Sequence, residues 1–402
     1  MNILFLTHNT PGRNARGGGL VFSWQNIMSL VRLGHEVHLV IAEPNHPLDA
    51  DLRDAVASVT YCTPVSPNAR SLDRLLARVF RPETMMFRFP DWMGVRAQVE
   101  AALTRIGPEL VWADWIGSLL RLPEDRPPIV YGHLDFIHQL KAVRRRVHAG
   151  RIRRPDPLTA AQLERIERRL VSACDHAVTV SATDAAIFER LHVPSTYMPV
   201  VGQPIPAPQH APPSPPRAFL LGRSNTAMNA ARRALRDQLW PKLGDVREQL
   251  SWHQLGEVPT QRTELWRWVE SVFTIHGYVE DLGEVLRPTD LCLVPYRDDT
   301  GFRAKFVTAA GYGMVNIGYV ETFACAEEFA PGENCLAARD DAHFVELLRT
   351  YAEDAQLRER LSRASRATYE RRFGLEAQLP TYETILNSAI ANSSARRRRS
   401  EP

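Results

Sequence analysis

The sequence predicts an α/β protein with two doubly wound parallel sheets, one in each half of the chain. Two observations carry this prediction. Short apolar runs alternate with segments of helical periodicity along most of the 402 residues, and such alternation favours a parallel sheet covered by helices on both faces. A proline-rich stretch interrupts the alternation once, near the middle, and the pattern then restarts. We therefore expect two Rossmann-like domains that face each other across a cleft.

The first half shows the alternation from its first residues. Apolar residues recur at helical spacing over Leu20–Leu33, and Gly34 is the type of residue that ends a helix. Helices are also predicted over Val95–Arg105 and Ala160–Cys174. The predicted strands are Ile3–Leu6, Val37–Ile41, Val56–Tyr61, Leu110–Ala113, Ile129–Tyr131 and Ala177–Ser181.

The proline-rich stretch predicts the domain boundary. Proline cannot donate a backbone hydrogen bond to a sheet and is excluded from helix interiors, so residues 199–217 are predicted to form an extended linker. The linker separates an N-terminal domain over residues 1–198 from a C-terminal domain over residues 218–375.

The second half repeats the alternation. The predicted strands are Ala218–Leu221, Ser251–Leu255, Phe273–His276, Leu291–Val294 and Val315–Tyr319. The predicted helices are Asn229–Leu239, Gly283–Leu286, Lys305–Tyr312, Asp341–Ala352 and Asp354–Phe373. A last helix over residues 376–392 is expected to pack back on the N-terminal domain. The basic tail, residues 393–402, is expected to be disordered.

The composition excludes several classes of protein. Hydrophobic residues make up 44% of the chain and charged residues 24%, which excludes a largely disordered or collagen-like protein. A net charge of +3 does not indicate a dedicated nucleic-acid-binding protein. The five cysteines are scattered and form no CxxC pair, so no metal site is predicted.

The expected location is the cytoplasm. The apolar run Ile3–Leu6 is too short for the core of a signal peptide, and no run approaches the ~18 apolar residues of a membrane span. Scattered cysteines are typical of buried, reduced thiols. The basic stretch Lys141–Arg154 could contact anionic lipid headgroups at the inner face of a membrane, or an acidic acceptor. A solvated helix face and loop is the alternative.

The first candidate loop lies between the first predicted strand and the first predicted helix. It contains Arg16-Gly17-Gly18-Gly19, and glycines let backbone N–H groups approach a phosphate at a helix N-terminus. A tight turn without a ligand is the alternative. The spacing also matches part of a dinucleotide-binding fingerprint, with Phe22 in place of the third glycine and Glu43 where a ribose-binding acid would stand.

The second candidate segment is Tyr131-Gly132-His133-Leu134-Asp135, which follows a predicted strand. A histidine and an aspartate two residues apart at a strand end can both reach a cleft, where either could orient or deprotonate a hydroxyl. The alternative is a helix N-terminus capped by Asp135. His8, directly after the first strand, is a weaker candidate of the same kind.

Two loops in the second half carry cationic residues. Leu221-Gly222-Arg223-Ser224 follows the first strand after the linker; an arginine there suits bidentate phosphate binding, and Ser224 suits a phosphate oxygen or a helix cap. The segment Val294–Thr308 places Arg303 and Lys305 at a helix start. Two cations there oppose the helix dipole, which is acceptable where an anion such as a diphosphate binds. Solvated basic turns are the alternative.

These segments, in this order and spacing, resemble the two-domain glycosyltransferases of the GT-B fold, in particular the large family 4 group, over about residues 1–375. Cys174–Ser181 resembles the family's strand before the linker, and Asp290–Pro295 is similar to its D-x-x-L-x-P segment. The run His276-Gly277-Tyr278-Val279 resembles the segment whose backbone holds the nucleotide base. The run Gly301-Phe302-Arg303-Ala304-Lys305, followed by Ala309 and Gly313, is similar to the motif G-x-R-x-K-x-x-E-A-x-A-x-G.

The resemblance implies transfer of a sugar from a nucleoside-diphosphate donor, of the UDP or GDP type, to an acceptor hydroxyl, with retained configuration and without a metal or other cofactor. The C-terminal half would hold the nucleotide, and the N-terminal half the acceptor, which would be a saccharide, a lipid-linked glycan or a small molecule. Arg223 and Lys305 would neutralise the diphosphate leaving group, and His133 and Asp135 would contact the sugar or the acceptor. The implied donor-binding residues are Gly17, Gly18, Gly19, Gly222, Ser224, Tyr278, Val279, Thr300, Gly301, Phe302, Arg303 and Thr308.

One departure from the family pattern keeps other functions open. The family usually carries two glutamates eight positions apart, and here those positions are Thr300 and Thr308. Threonine can hydrogen-bond a hydroxyl or a phosphate but carries no charge. A catalytically weakened protein that binds nucleotide or glycan is therefore the alternative hypothesis. A NAD-dependent oxidoreductase, based on Gly17–Gly19 and Glu43, is the third.

Overall fold

The computed structural model describes residues 1–13, 18–63, 92–140, 158–202, 204–206, 211–222, 226–297 and 301–400. The chain divides into two compact units. Unit 1 comprises Met1–Met198 and Gln378–Pro402, and unit 2 comprises Pro199–Ala377.

Unit 1 contains a seven-stranded sheet in the order β3-β2-β1-β4-β5-β6-β7, in which all neighbouring strands are parallel. Its strands are β1 (Asn2–Thr7), β2 (Glu36–Ile41), β3 (Ser58–Tyr61), β4 (Leu110–Asp114), β5 (Ile129–His133), β6 (His176–Thr179) and β7 (Ser195–Tyr197). Its helices before unit 2 are α1 (Gly18–Arg32), α2 (Ala50–Ala55), α3 (Trp92–Ile106), α4 (Ile116–Leu119), α5 (Ala160–Val171) and α6 (Ala182–Arg190).

Unit 2 contains a six-stranded sheet in the order β10-β9-β8-β11-β12-β13, again entirely parallel. Its strands are β8 (Arg217–Leu221), β9 (Ser251–Leu255), β10 (Thr274–Gly277), β11 (Leu291–Val294), β12 (Val315–Tyr319) and β13 (Cys335–Ala338). Its helices are α7 (Thr226–Ala234), α8 (Val246–Gln249), α9 (Glu264–Val272), α10 (Ala304–Gly311), α11 (Val320–Phe323), α12 (Asp341–Glu353) and α13 (Ala355–Arg372).

The central strands explain why apolar runs predict this fold. In β1 the four residues Ile3–Leu6 are all buried, and in β11 the four residues Leu291–Val294 are buried as well. A parallel strand that is covered on both faces reads as a continuous apolar run, because neither face contacts water. The predicted α/β class with two doubly wound sheets is confirmed.

The chain ends in a long helix, α14 (Leu375–Ser400). The buried hydroxyl of Tyr382 donates to Asn26 Oδ1 at 2.8 Å within unit 1. The expectation of disorder over residues 393–402 is wrong for the described residues 393–400, which are helical. Arg396 donates to the carbonyl oxygens of Ala173 and Cys174 and lies 2.9 Å from the Asp175 carboxylate. These partners extend the helix beyond the end that composition suggests.

Several elements were not predicted. The sequence-based prediction lacks two strands, β7 and β13, and six helices, α2, α4, α6, α8, α9 and α11. β7 has three half-buried residues at the sheet edge, which is too short to show alternation. The predicted strand Val56–Tyr61 begins two residues too early, because the Val56 N–H donates to Leu52 O at the end of α2.

No helix in the described ranges is both long enough and apolar enough to cross a membrane.

Candidate functional site

Each sheet has a switch point, where the order of its strands reverses, and ligands of doubly wound proteins bind there, outside the carboxyl ends of the strands. In unit 1 this switch point lies between β1 and β4, and in unit 2 it lies between β8 and β11. The predicted residues Gly18 and Gly19 follow β1, Gly222 follows β8, and Gly301–Lys305 follow β11. These candidate residues therefore follow strands that border the switch points.

In unit 2 the predicted residues Gly222 and Lys305 come together around Met228. The Lys305 ammonium donates to the Met228 sulfur at 3.0 Å. A Cβ atom at Gly222 would lie 3.3 Å from the same sulfur, and Gly222 has a φ of +131°. A side chain at this position would therefore be both strained and crowded. The backbone after β8 thus stays close to Lys305.

The Lys305 ammonium has a weak hydrogen-bond acceptor as its partner. A thioether sulfur is a poor hydrogen-bond acceptor, and within the described part of the chain no carboxylate forms an ion pair with Lys305. The ammonium also lies 5.7 Å from the Tyr296 ring centroid, and the Arg303 guanidinium lies 5.2 Å from it. Two cations therefore flank one buried aromatic ring in the loop after β11.

Helix α10 adds backbone donors to this cationic cluster. The helix begins at Ala304, Arg303 precedes it, and its first turn contains no acidic residue. Free backbone N–H groups and the positive end of the helix dipole favour an anion at such a terminus. Gly222, Arg303 and Lys305 thus bring cationic groups and backbone N–H groups together, the kinds of donor that bind phosphates.

The remaining predicted residues of α10 and its preceding loop have distinct settings. Gly301 is buried with a φ of +64°, and Phe302 is half-buried against the core of unit 2. The Thr308 hydroxyl donates to Ala304 O at 3.4 Å, which is a long bond within its own helix. Such a bond is easily exchanged for another acceptor.

Tyr278 and Val279 follow β10 at the same edge of the sheet. Gly277 has a φ of +71°, and its carbonyl oxygen accepts the Gly256 N–H at 2.8 Å. This bond ties the loop after β10 to the loop after β9. The Tyr278 side chain is 80% exposed, so its ring is available to a ligand.

Unit 2 also contains a polar cavity of about 430 Å³. Its lining includes Asn229, the residue that follows Met228 in the chain. The buried Arg232 lines the cavity as well; this guanidinium donates to Gln254 and Asn229 and lies 4.7 Å from the Trp266 ring centroid. Burial lowers the pKa of Arg232 to about 10, so it stays charged at neutral pH. Sequence reasoning missed Arg232, because an arginine within a helical pattern is typical of a solvated face.

In unit 1, His133 is enclosed rather than open to a ligand. Its side chain is 1% exposed, Nε2 lies 3.3 Å from Asp184 Oδ2, and Nδ1 lies 3.2 Å from the Tyr131 hydroxyl. The rings of Phe136 and Phe188 pack on it at centroid distances of 4.3 and 5.0 Å. The expectation that His133 and Asp135 both reach an open edge is therefore wrong for His133, because these rings and Asp184 cover it. Asp135 is half-buried.

Trp115, directly after β4, has a backbone conformation that sequence reasoning could not predict. Its φ is +70° and its ψ is 145°, a region used almost only by glycine, and a non-glycine residue there costs on the order of 1–3 kcal/mol. A Cβ atom at Gly19 would lie 2.7 Å from Trp115 Cζ2 and 2.6 Å from Leu134 Cδ1. Gly19 is therefore needed for this close approach to α1.

Asp114, the last residue of β4, is fully buried. Burial raises its pKa to about 7, although the hydrogen bond from Trp112 Nε1 to Oδ1 partly opposes that rise. Gly132 on the neighbouring strand has no room for a Cβ atom, which would overlap the Asp114 carboxylate. Burial thus favours the protonated form of Asp114 at the switch point of unit 1.

A second network at this edge involves His8 and Glu43. Arg121 donates to Glu43 Oε1 at 2.8 Å and lies 2.9 Å from His8 Nδ1. Burial, and then the charge of Arg121, lowers the pKa of His8 to about 4, so this histidine is neutral at pH 7. The carboxylate expected to bind a ribose in the oxidoreductase hypothesis is thus already paired with Arg121.

Some predicted positions lie outside the described residues. They are Gly17, Arg223, Ser224, Thr300 and the basic stretch Lys141–Arg154. Across the described residues, no group of three or more His, Cys, Asp or Glu side chains is placed to hold a metal ion.

Comparisons with known proteins agree with the fold. Residues 232–384 match a protein family described as glycosyl transferase-like. Among solved structures, sucrose-phosphate synthase from Thermosynechococcus elongatus is similar, with a TM-score of 0.70, 14% identity and coverage of 97% of this chain and 99% of that one. HepE from Anabaena, solved with UDP and glucose, has a TM-score of 0.63 and 14% identity over 96% of this chain and 100% of its own.

A third similar structure is WaaG, a glycosyltransferase involved in lipopolysaccharide biosynthesis, with a TM-score of 0.60 and 11% identity over 95% of this chain and 99% of that one. No curated protein sequence matches the chain. Identities this low establish the fold alone, and the matched family adds the class of activity. The predicted resemblance to GT-B glycosyltransferases is confirmed at this level.

Proposed function

We propose that this chain, which has the GT-B fold and matches a glycosyl transferase-like family over residues 232–384, transfers a sugar from a nucleoside-diphosphate donor to an acceptor hydroxyl. The observation that carries the proposal is the weakly satisfied ammonium of Lys305 at the switch point of unit 2, next to Gly222 and the start of α10. UDP is the proposed nucleotide, since HepE was solved with UDP and with UDP-glucose; GDP is the second candidate.

Catalysis in this proposal depends on stabilising the leaving group. The bond between the sugar C1 and the β-phosphate oxygen breaks, and a new bond forms from C1 to the acceptor oxygen. The acceptor proton leaves with the diphosphate or passes to water. Lys305, Arg303 and the N–H groups of α10 lie where the leaving group gains negative charge, and Arg223 and Ser224 belong to the same proposed site. These cations make a metal ion unnecessary.

The nucleoside would lie over the neighbouring loops. We assign the base to the backbone of Tyr278 and Val279, and the ribose to Thr308, with Thr300 and Gly301–Phe302 close to the sugar. The long intrahelical bond of Thr308 leaves its hydroxyl available to a ribose hydroxyl. A neutral threonine holds a ribose less tightly than a carboxylate does, so this site favours a weaker donor affinity.

The same threonines support a second candidate function. A protein that binds a nucleotide or a glycan but transfers sugar slowly would have this cationic cluster without a charged ribose contact. In both candidates, Gly17–Gly19 and Asp135 face the sugar or acceptor, and His133 is a positioning residue because it is enclosed by Phe136 and Phe188. Retention of configuration is part of the first proposal and follows from the family resemblance.

The proposal is tested by ligand-induced thermal stabilisation. A ligand that binds only the folded protein raises its melting temperature, and the rise grows with the logarithm of its affinity when the ligand is in excess. We expect UDP to stabilise the wild-type chain and NAD to leave it unchanged. Lys305→Ala should weaken UDP binding by about tenfold or more, which is roughly 1.4 kcal/mol. Lys305→Arg should retain part of it.

Lys242→Ala is the matched control, because Lys242 is a cation in unit 2 that pairs with Asp341 on the surface. It should bind UDP as the wild type does. Equal UDP affinity of Lys305→Ala and wild type would refute the diphosphate assignment. Release of the sugar from a stabilising UDP-sugar separates the enzyme from the binding protein.

We also propose that the basic stretch Lys141–Arg154 makes peripheral contact with an anionic membrane. Its arginines would gain about 1 kcal/mol each near such a surface. Flotation with phosphatidylglycerol vesicles should recover the protein at low salt, whereas phosphatidylcholine vesicles should not. Equal recovery with both vesicles would contradict the proposal.

A further inference from the structure

Trp115 has a strained backbone conformation at the carboxyl end of its sheet. A φ of +70° with a ψ of 145° is sterically unfavourable for any residue with a Cβ atom. Trp115 is a bulky residue and stands at the carboxyl end of β4, beside the switch point of unit 1. Strain of this kind persists where the surroundings enforce it, and it is frequent at ligand sites.

The surroundings of Trp115 enforce its conformation from both sides. Its N–H donates to Gly132 O at 3.1 Å, and its carbonyl oxygen accepts the Ser118 N–H at 3.0 Å. The Ser118 hydroxyl also donates to Asp114 O at 2.5 Å. The Trp112 Nε1–H donates to Oδ1 of the buried Asp114 carboxylate, directly before Trp115, at 2.9 Å. The backbone is therefore fixed before any ligand binds.

The indole of Trp115 is positioned against the start of α1. Its Cζ2 edge meets Gly19 without space for a Cβ atom, with Leu134 on the same side. The His8 ring lies 6.5 Å away at 35°. The indole Nε1 is buried and has no hydrogen-bond partner among the described residues, while the residue as a whole is only half-buried. The indole of this half-buried residue thus packs on Gly19 and lies near a neutral histidine.

The charges at this edge favour an uncharged ligand. Arg121 is paired with Glu43 and contacts His8, and His8 itself is neutral at pH 7. The Arg121 guanidinium is therefore not available to a phosphate. A flat aromatic surface with polar groups at its edge binds rings that have an apolar face and hydroxyl groups at the rim. Saccharides have this chemistry.

We propose that Trp115 forms the floor of a saccharide-binding subsite in unit 1, with His8 and the backbone of Gly18 and Gly19 at its edge. Its ligand is an uncharged sugar ring that stacks on the indole. The identification of this sugar as the acceptor rests on the proposed function, whereas the binding of a saccharide does not.

The test is saccharide binding by the full chain, measured by saturation-transfer NMR and calorimetry. The probes are methyl glycosides of glucose, galactose, mannose and N-acetylglucosamine. We expect at least one to bind the wild type, Trp115→Ala to lose about tenfold or more in affinity, and Trp115→Phe to stay within about threefold. Gly19→Ala provides a second variant, because its added methyl group would displace the indole.

Trp24→Ala is the matched control, since Trp24 is also a half-buried tryptophan of unit 1 with a buried, unpartnered Nε1. It should bind the probe as the wild type does. Each variant should keep the far-UV circular dichroism of the wild type and unfold cooperatively, which shows that it is folded. Equal probe affinity in wild type, Trp115→Ala and Gly19→Ala overturns the inference, as does a wild type that binds none of the probes. Failure of UDP to stabilise the wild type would refute the proposed donor site and leave the saccharide result standing.

Discussion

At the scale of single residues, two substitutions at Trp115 separate the cost of its strained backbone from the contribution of its indole ring. Trp115→Gly and Trp115→Ala both remove the indole, but only glycine relieves the backbone strain. We expect the glycine variant to be more stable than the alanine variant by about 1–2 kcal/mol in denaturant unfolding.

The informative result is which of the two variants, Trp115→Gly or Trp115→Ala, is the more stable. Within an ordinary helix, glycine is less stable than alanine by about 1 kcal/mol. Thr104 lies exposed within α3 and serves as the control position. There Thr104→Ala should be more stable than Thr104→Gly. A Trp115→Ala protein at least as stable as Trp115→Gly would show that the backbone at position 115 is not strained.

Asp114 gives a pH prediction at the same scale. Burial raises the pKa of Asp114 in the folded protein to about 7 from its ordinary value of 3.8. The folded state therefore binds this proton more tightly than the unfolded state between about pH 4 and 7. In that window the contribution of Asp114 to stability falls as the pH rises, by up to about 1.4 kcal/mol per pH unit.

Asp114→Asn removes this titration and can still accept the Trp112 Nε1–H at Oδ1. The difference in unfolding free energy between variant and wild type should therefore change steadily in favour of the variant from pH 4 to pH 7. A difference that does not depend on pH would mean that Asp114 stays ionised in the folded protein.

Sequence reasoning found some residues of the site and missed others for a physical reason. Gly222 and Lys305 follow two different strands, so the rule that parallel strands end at one edge was enough to predict their proximity. Met228 and Arg232 could not be predicted, because their roles depend on which face of α7 meets the sheet. Trp115 could not be predicted either, since its φ follows from contacts with Gly132 and Ser118.

At the scale of elements, apolar runs predicted the central strands because those strands are buried on both faces. The helix α9 was missed although it is amphipathic, since Trp266 and Val269 are its only buried residues in nine. The end of α14 was predicted to be disordered because of its polar and basic composition alone. Charge does not reveal that the carbonyl groups after α5 accept hydrogen bonds from Arg396.

The hydrogen bond that Tyr382 makes from helix α14 leads to a prediction about stability. The Tyr382 hydroxyl is buried and donates to Asn26, and its ring lies 5.7 Å from that of Trp112. Tyr382→Phe removes the donor and leaves the ring, so unfolding free energy should fall by about 0.5–1.5 kcal/mol. Tyr278→Phe, at an exposed position, should change stability by less than about 0.5 kcal/mol. Equal effects at the two positions would show that the bond to Asn26 does not hold the helix.

At the scale of the whole molecule, the two units have separate hydrophobic cores. One cluster includes Leu4, Val111 and Phe188 in unit 1, and others include Leu220, Val269 and Phe306 in unit 2. The proposed diphosphate site uses residues of unit 2 only, whereas the proposed saccharide subsite uses residues of unit 1 only. A ligand at one site should therefore stabilise one core directly.

Calorimetry of the full chain tests this division. We expect two unfolding transitions, of which UDP raises one by several degrees and a binding methyl glycoside raises the other, because each ligand shifts only the equilibrium of the unit that holds it. Lys305→Ala should abolish the first shift and retain the second, and Trp115→Ala should do the reverse. A single transition that both ligands raise would mean that the units unfold together. In that case the assignment of each ligand to one unit would rest on the variants alone, and loss of both shifts in either variant would contradict it.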